Sequence, residues 1–107
     1  MSLWDYDAVT LAGMLRRTEV SAREVVAAHI ERVEAVDGAV NALVTRSFET
    51  AMARAASADE ALAAGEQPGL LHGLPVAHKD LLDTAGLRTT YGPRCSPRMC
   101  PTRTRWW

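Results

Sequence analysis

At 107 residues, with 48% hydrophobic and 23% charged side chains, the chain holds the apolar content of one modest domain. Its formal charge of −1 conceals a division: residues 1–92 carry thirteen acids and eight bases, whereas residues 93–107 carry four arginines and no acid. The opening residues lack a basic, apolar leader, no run reaches the length of a membrane span, and residues 1–92 contain no cysteine to build a disulfide framework, so a cytoplasmic protein without membrane association is expected.

The first predicted element is a helix from Asp7 to about Arg17. Leu11, Met14 and Leu15 recur there at helical spacing, and Asp7 can accept the free amide protons of the first turn. A link over Thr18-Glu19-Val20 leads to a second helix that opens on Ser21-Ala22-Arg23-Glu24, a capping box in which serine and glutamate satisfy each other's backbone donors. Val25, Val26, His29, Ile30, Val33 and Val36 form its apolar stripe, and Asp37-Gly38 is expected to close it. Val40–Thr45 is short and partly β-branched, which predicts a strand. The third helix runs from about Phe48 to Ala64, alanine-rich and suited to close packing, with Gly65 placed to end it. Gln67-Pro68-Gly69 is a loop and Asp83-Thr84-Ala85-Gly86 a turn; Leu74–His78 and Leu87–Tyr91 have strand-like content, with Pro75 restricting the former to an edge or first position. The order predicts a mixed α/β fold, with helices first and the opening strands of a sheet after them.

Lys79 is the one lysine beside eleven arginines. Arginine keeps its proton in proteins, whereas a desolvated lysine can lose it and serve as a base. The segment Leu74–His78 delivers this ammonium into a stretch bracketed by Gly73 and Gly86. Two readings stand side by side. Lys79 is either a base for a hydroxyl nucleophile, as in Ser-Lys pairs, or a structural lysine paired with Asp80 or Asp83 and otherwise solvated. His72 and His78 have no third metal ligand in view, so a loop contact and a packing role are expected of them; His29 belongs to the core or rim of its helix.

The run Leu71-His72-Gly73-Leu74-Pro75-Val76-Ala77-His78-Lys79-Asp80, continuing through Asp83-Thr84-Ala85-Gly86 and Thr89-Thr90-Tyr91-Gly92, resembles the first block of the amidase signature family. The upstream Ser21–Val26 and Asn41–Val44 also fit, so the resemblance covers roughly residues 5–92. It implies the N-terminal portion of the amidase fold and hydrolysis of a carboxylic amide to acid and ammonia or amine. It further implies a small-molecule amide substrate, no cofactor and no metal. By the same resemblance Lys79 is the general base of a Ser-(cis-Ser)-Lys triad, acting through a bridging serine, while Asp80 and Asp83 orient the surrounding loop.

The departure from the family pattern lies downstream. Both triad serines and the oxyanion-hole glycines belong to a Gly/Ser-rich segment, whereas Ser96 is the one serine after Gly92 and has no glycine beside it. A base without nucleophile or oxyanion donors has little to stabilise in a transition state, so no turnover is expected from this polypeptide alone. Residues 93–107, with Cys95, Cys100, three prolines and two tryptophans, show no apolar periodicity. Reading GC-rich codons for this stretch two nucleotides later turns both Met-Cys and Trp-Trp into valine, which leads to the expectation of a frame-shifted, disordered tail. Cys95 and Cys100 lack a second ligand pair for a metal, and the arginines and tryptophans are not expected to mark a nucleic-acid partner. Two alternatives remain open: a fragment of the glutaminase-like component of an aminoacyl-tRNA amidotransferase, and a non-enzymatic product or small helical interaction module.

Overall fold

The computed structural model describes residues 1–91. They form a 3₁₀ turn (Leu3–Asp5) and three helices, α1 (Ala8–Arg16), α2 (Ala22–Val40) and α3 (Phe48–Ala63). The chain divides into two compact units, one of Met1–Val40 with Phe48–Pro75 and the other joining Asn41–Ser47 to the chain from Val76 onward. The stretch 93–107, with the frame shift and disorder expected of it, lies outside the described residues.

The helical unit follows its caps. Asp7 accepts the Thr10 amide at 2.7 Å to open α1. That backbone hydrogen bond holds the Asp7 carboxyl below its ordinary value. At the other end the amides of Arg17, Thr18 and Glu19 return to carbonyls of the last turn, with Thr18 at φ 54°, a left-handed position unusual for a β-branched residue. The expected capping box forms at α2: the Ser21 amide and hydroxyl donate to Glu24 at 2.7 and 2.8 Å, and the Glu24 amide donates to Ser21 Oγ at 3.1 Å. A second carboxylate completes this helix start from α3. Asp59 accepts the amides of Ala22 (2.6 Å) and Arg23 (3.3 Å) together with Arg23 Nε (3.1 Å).

Leu11 and Leu15 of α1, Ala22, Val25 and Val26 of α2, and Ala55 of α3 form the core, with Val25 fully buried. Small residues permit the close approach. A Cβ built on Gly73, whose φ is +76°, would lie 3.1 Å from Ala22 Cβ and 3.2 Å from both Leu15 methyl carbons. The 3₁₀ turn sits on α2, where the Arg32 guanidinium lies 5.9 Å from the centre of the Trp4 ring.

Two expectations change. α2 continues through Asp37-Gly38 to Val40 and stops where Asn41 takes φ 53°. An interior glycine costs a helix only about 1 kcal/mol, and Asn tolerates the left-handed position that ends it. The predicted strands Val40–Thr45, Leu74–His78 and Leu87–Tyr91 are absent among the described residues, so the mixed sheet of the α/β reading is not formed there. A strand exists by pairing. In the second unit some backbone carbonyls are met by side chains instead, as Arg88 Nη2 donates to the Val44 carbonyl at 3.2 Å and Thr45 Oγ1 donates to the Arg88 carbonyl at 3.0 Å. No helix of the described residues is long and apolar enough to cross a membrane.

Candidate active-site loop

Lys79 opens a loop that returns on itself at Tyr91. Its carbonyl accepts the amides of Leu81 (2.7 Å) and Leu82 (2.9 Å), which turns the chain sharply after it. Asp80 then closes the loop in two ways. Its carbonyl accepts the Tyr91 amide at 3.1 Å, and its carboxylate accepts the Thr90 amide at 2.9 Å through one oxygen and the Thr90 hydroxyl through the other. Asp83 accepts a hydrogen bond from the Tyr91 phenol. The hinge of the far turn is Thr84–Leu87, where the Leu87 amide donates to the Thr84 carbonyl at 3.0 Å and Gly86 takes φ +78°.

This clasp is partly buried, with Asp80 and Tyr91 half-exposed, although the residue it follows is exposed. Asp83, Thr89 and Thr90 are 6%, 3% and 8% exposed, whereas Lys79 is exposed. Hydrogen bonds to a carboxylate are roughly twice as strong as neutral ones, which favours the closed base of the loop. The desolvation expected of Lys79 is not found here, because Val76 through His78, which lead into it, are exposed as well. Asp80 and Asp83, the carboxylates named in the alternative role, accept hydrogen bonds from Thr90 and Tyr91. Both threonine and tyrosine lie in the motif already noted, yet nothing in their spacing from Asp80 announces the pairing.

The histidines fall where simple packing would put them, with one exception. The His72 ring lies with Nε2 3.0 Å from the Ala58 carbonyl, so that nitrogen carries the proton and pins residues 70–74 to α3. His29 donates through Nδ1 to the Val25 carbonyl at 2.7 Å, a contact within α2. His78, expected to pack, is exposed. Among the described residues no group of three or more His, Cys, Asp or Glu side chains is arranged to hold a metal ion.

Known proteins bear on this loop. The A-type subunit of the glutamyl-tRNA(Gln) amidotransferase of Moorella thermoacetica is 48% identical over 99 residues, covering 92% of this chain and 20% of the relative. The protein of the same name from Acidothermus cellulolyticus is 46% identical over 87 residues, or 81% of this chain and 17% of the relative. The chain therefore spans about a fifth of the length of these relatives. One solved structure is described as an unexpected vestigial protein complex that reveals the evolutionary origins of an s-triazine catabolic enzyme. One polypeptide in it superposes with a TM-score of 0.86 at 30% identity, over 92% of this chain and 22% of its own length. The model of the family described as Amidase matches residues 24–102, taking in the whole 79–91 loop and ten residues of the stretch that composition sets apart. With a match that spans the lysine and the clasp that follows it, the chain belongs to the amidase family.

Proposed function

We propose that this chain is the lysine-bearing part of an amidase-family enzyme that cleaves the C–N bond of a carboxylic amide, with Lys79 as its general base. The observation that carries the reading is the clasped loop: the one lysine of the chain stands at its mouth, and the neighbouring carboxylates are engaged by Thr90 and Tyr91. By family resemblance, Lys79 takes a proton through a bridging serine from the nucleophilic serine. That hydroxyl attacks the amide carbon, the amine leaves with a returned proton, and the acyl-enzyme is hydrolysed or passed to an acceptor. Neither serine has a counterpart among these residues, so the role assigned to this chain is that of the base alone.

Replacing the matching fifth of the Moorella thermoacetica protein with residues 1–91 of this chain tests the assignment. The graft is expected to release ammonia from glutamine or a simple amide, and Lys79→Met to lower kcat by about 10³-fold or more, the scale for a lost member of a nucleophile-activating triad. A graft that folds and works equally well with methionine at this position refutes the role. Genomic sequence beyond the Gly92 codon tests the truncated state separately. A one- or two-base change restoring a long frame with a Gly/Ser-rich segment supports a broken amidase gene, and the lack of one in every frame ends that reading.

The names of the relatives favour one branch of the family, an amidotransferase component that delivers ammonia to a partner rather than a free amidase. Ammonia release by the graft that depends on the partner protein supports that branch, whereas partner-independent turnover favours the free enzyme.

A further inference from the structure

We infer that Thr90 is a positioning residue for Lys79, acting through Asp80, with Tyr91 as the second point of hold; this rests on the reading of Lys79 as a base. The lysine side chain is exposed and has a flexible four-carbon stem. The main chain from which it springs sets where that stem begins. That main chain is fixed on its C-terminal side by the Leu81 and Leu82 amides on the Lys79 carbonyl and by the Tyr91 amide on the Asp80 carbonyl. The Thr90 amide and hydroxyl then take the two oxygens of the Asp80 carboxylate.

The same bonds have an electrostatic consequence. A carboxylate beside a lysine favours its charged form, which is the wrong form for a base. Asp80 is the residue next to Lys79, and its carboxylate is turned to the buried Thr90. Asp83 is turned in the same way to the Tyr91 phenol. Thr90 thus fixes the origin of the lysine stem and holds the adjacent carboxylate in the loop. A threonine that served only to fold the loop would have neither effect on the amine.

The whole 107-residue chain suffices for the test, because Lys79 is its only lysine. Reductive ¹³C-methylation labels Lys79 and the Met1 amino group, giving a single lysine signal by NMR. Thr90→Val removes the hydroxyl at nearly constant shape. It is expected to displace the Lys79 signal and to speed exchange of the Tyr91 amide by roughly tenfold or more, as for loss of a hydrogen bond to a charged acceptor. Asp80→Asn is expected to displace the same signal, and Thr90→Ser, which keeps the hydroxyl, to restore the wild-type position. Helical circular dichroism reports that the three helices are intact in each variant. The inference is overturned if the Lys79 signal stays in place in Thr90→Val, even where the Tyr91 amide exchanges faster, or if the serine variant fails to restore it. None of these readings requires turnover, so a failed graft would leave the positioning result standing and the reverse.

Discussion

The contact with most to lose in the helical unit is Asp59 at the start of α2. Replacing it with alanine removes the acceptor of the Ala22 and Arg23 amides, 37 and 36 residues away in sequence. A capping side chain contributes about 1 kcal/mol. Ala22 is only 1% exposed, so its amide cannot turn to water and its stranding adds about 1–2 kcal/mol. The accompanying Arg23 ion pair adds little, since the arginine side chain is 60% exposed and exposed pairs are worth about 0–1 kcal/mol. The expected loss is about 2–3 kcal/mol, a large share of the stability of a small domain and a fall in Tm on the order of 10–20 °C. Thermal and urea melts followed by circular dichroism measure it. Asp59→Asn, which keeps one acceptor, should lose about half as much, and Arg23→Ala should scarcely register. An Asp59→Ala chain within about 0.5 kcal/mol of wild type would mean that the Ser21–Glu24 box alone sets the start of α2, and the account of this cap would be wrong.

Further outcomes follow from the same geometry. Gly73→Ala should cost about 2–4 kcal/mol, since the new Cβ meets Ala22 and Leu15 at 3.1–3.2 Å and the backbone is left-handed. Gly65→Ala, at φ +84° with nothing within 4 Å, should cost only the backbone part, about 1 kcal/mol, and equal losses by urea melt would contradict the packing at Gly73. Thr18→Gly should raise stability by up to about 1 kcal/mol by relieving φ 54°. Helicity should decline in acid: the Thr10 amide on Asp7 and the Ser21 amide on Glu24 hold both carboxyls below their ordinary values of 3.8 and 4.5. Their contribution is complete above those values and is lost as pH falls through the lower folded ones, so an acid titration of an Asp7→Asn, Glu24→Gln variant should be flatter than wild type. Lys79→Met should leave the melt within about 0.5 kcal/mol of wild type, as expected for an exposed side chain.

Local signals carried the helices. Asp7, the Ser21–Glu24 box and Gly65 each act within one turn of the boundary they set, so residue type and spacing disclose them. Asp59 does its capping from another helix, and no pattern along the chain links it to Ala22. The strand expectations failed for a related reason. Val40–Thr45 and Leu87–Tyr91 have strand-like content, but a strand also needs a partner at ladder distance, and partners are not written locally. In the candidate site, Lys79 stood out by composition and by family resemblance. The resemblance also brought Asp80 and Asp83 into view. Thr90 and Tyr91 lay in the same motif without a role, because a hydrogen bond across ten residues depends on how the intervening turn closes.

The interleaving of the two units has a consequence for synthesis on the ribosome. The segment Asn41–Ser47 is made before α3, but its hydrogen bonds at Val44 and Thr45 go to Arg88, 44 and 43 residues later. At about 5–20 residues per second, several seconds separate the appearance of the two sides. The helices can assemble in that interval, since all their core residues lie before Pro75. The early segment must instead wait in water, tethered at both ends to a finished bundle, until the residues that will hold it emerge.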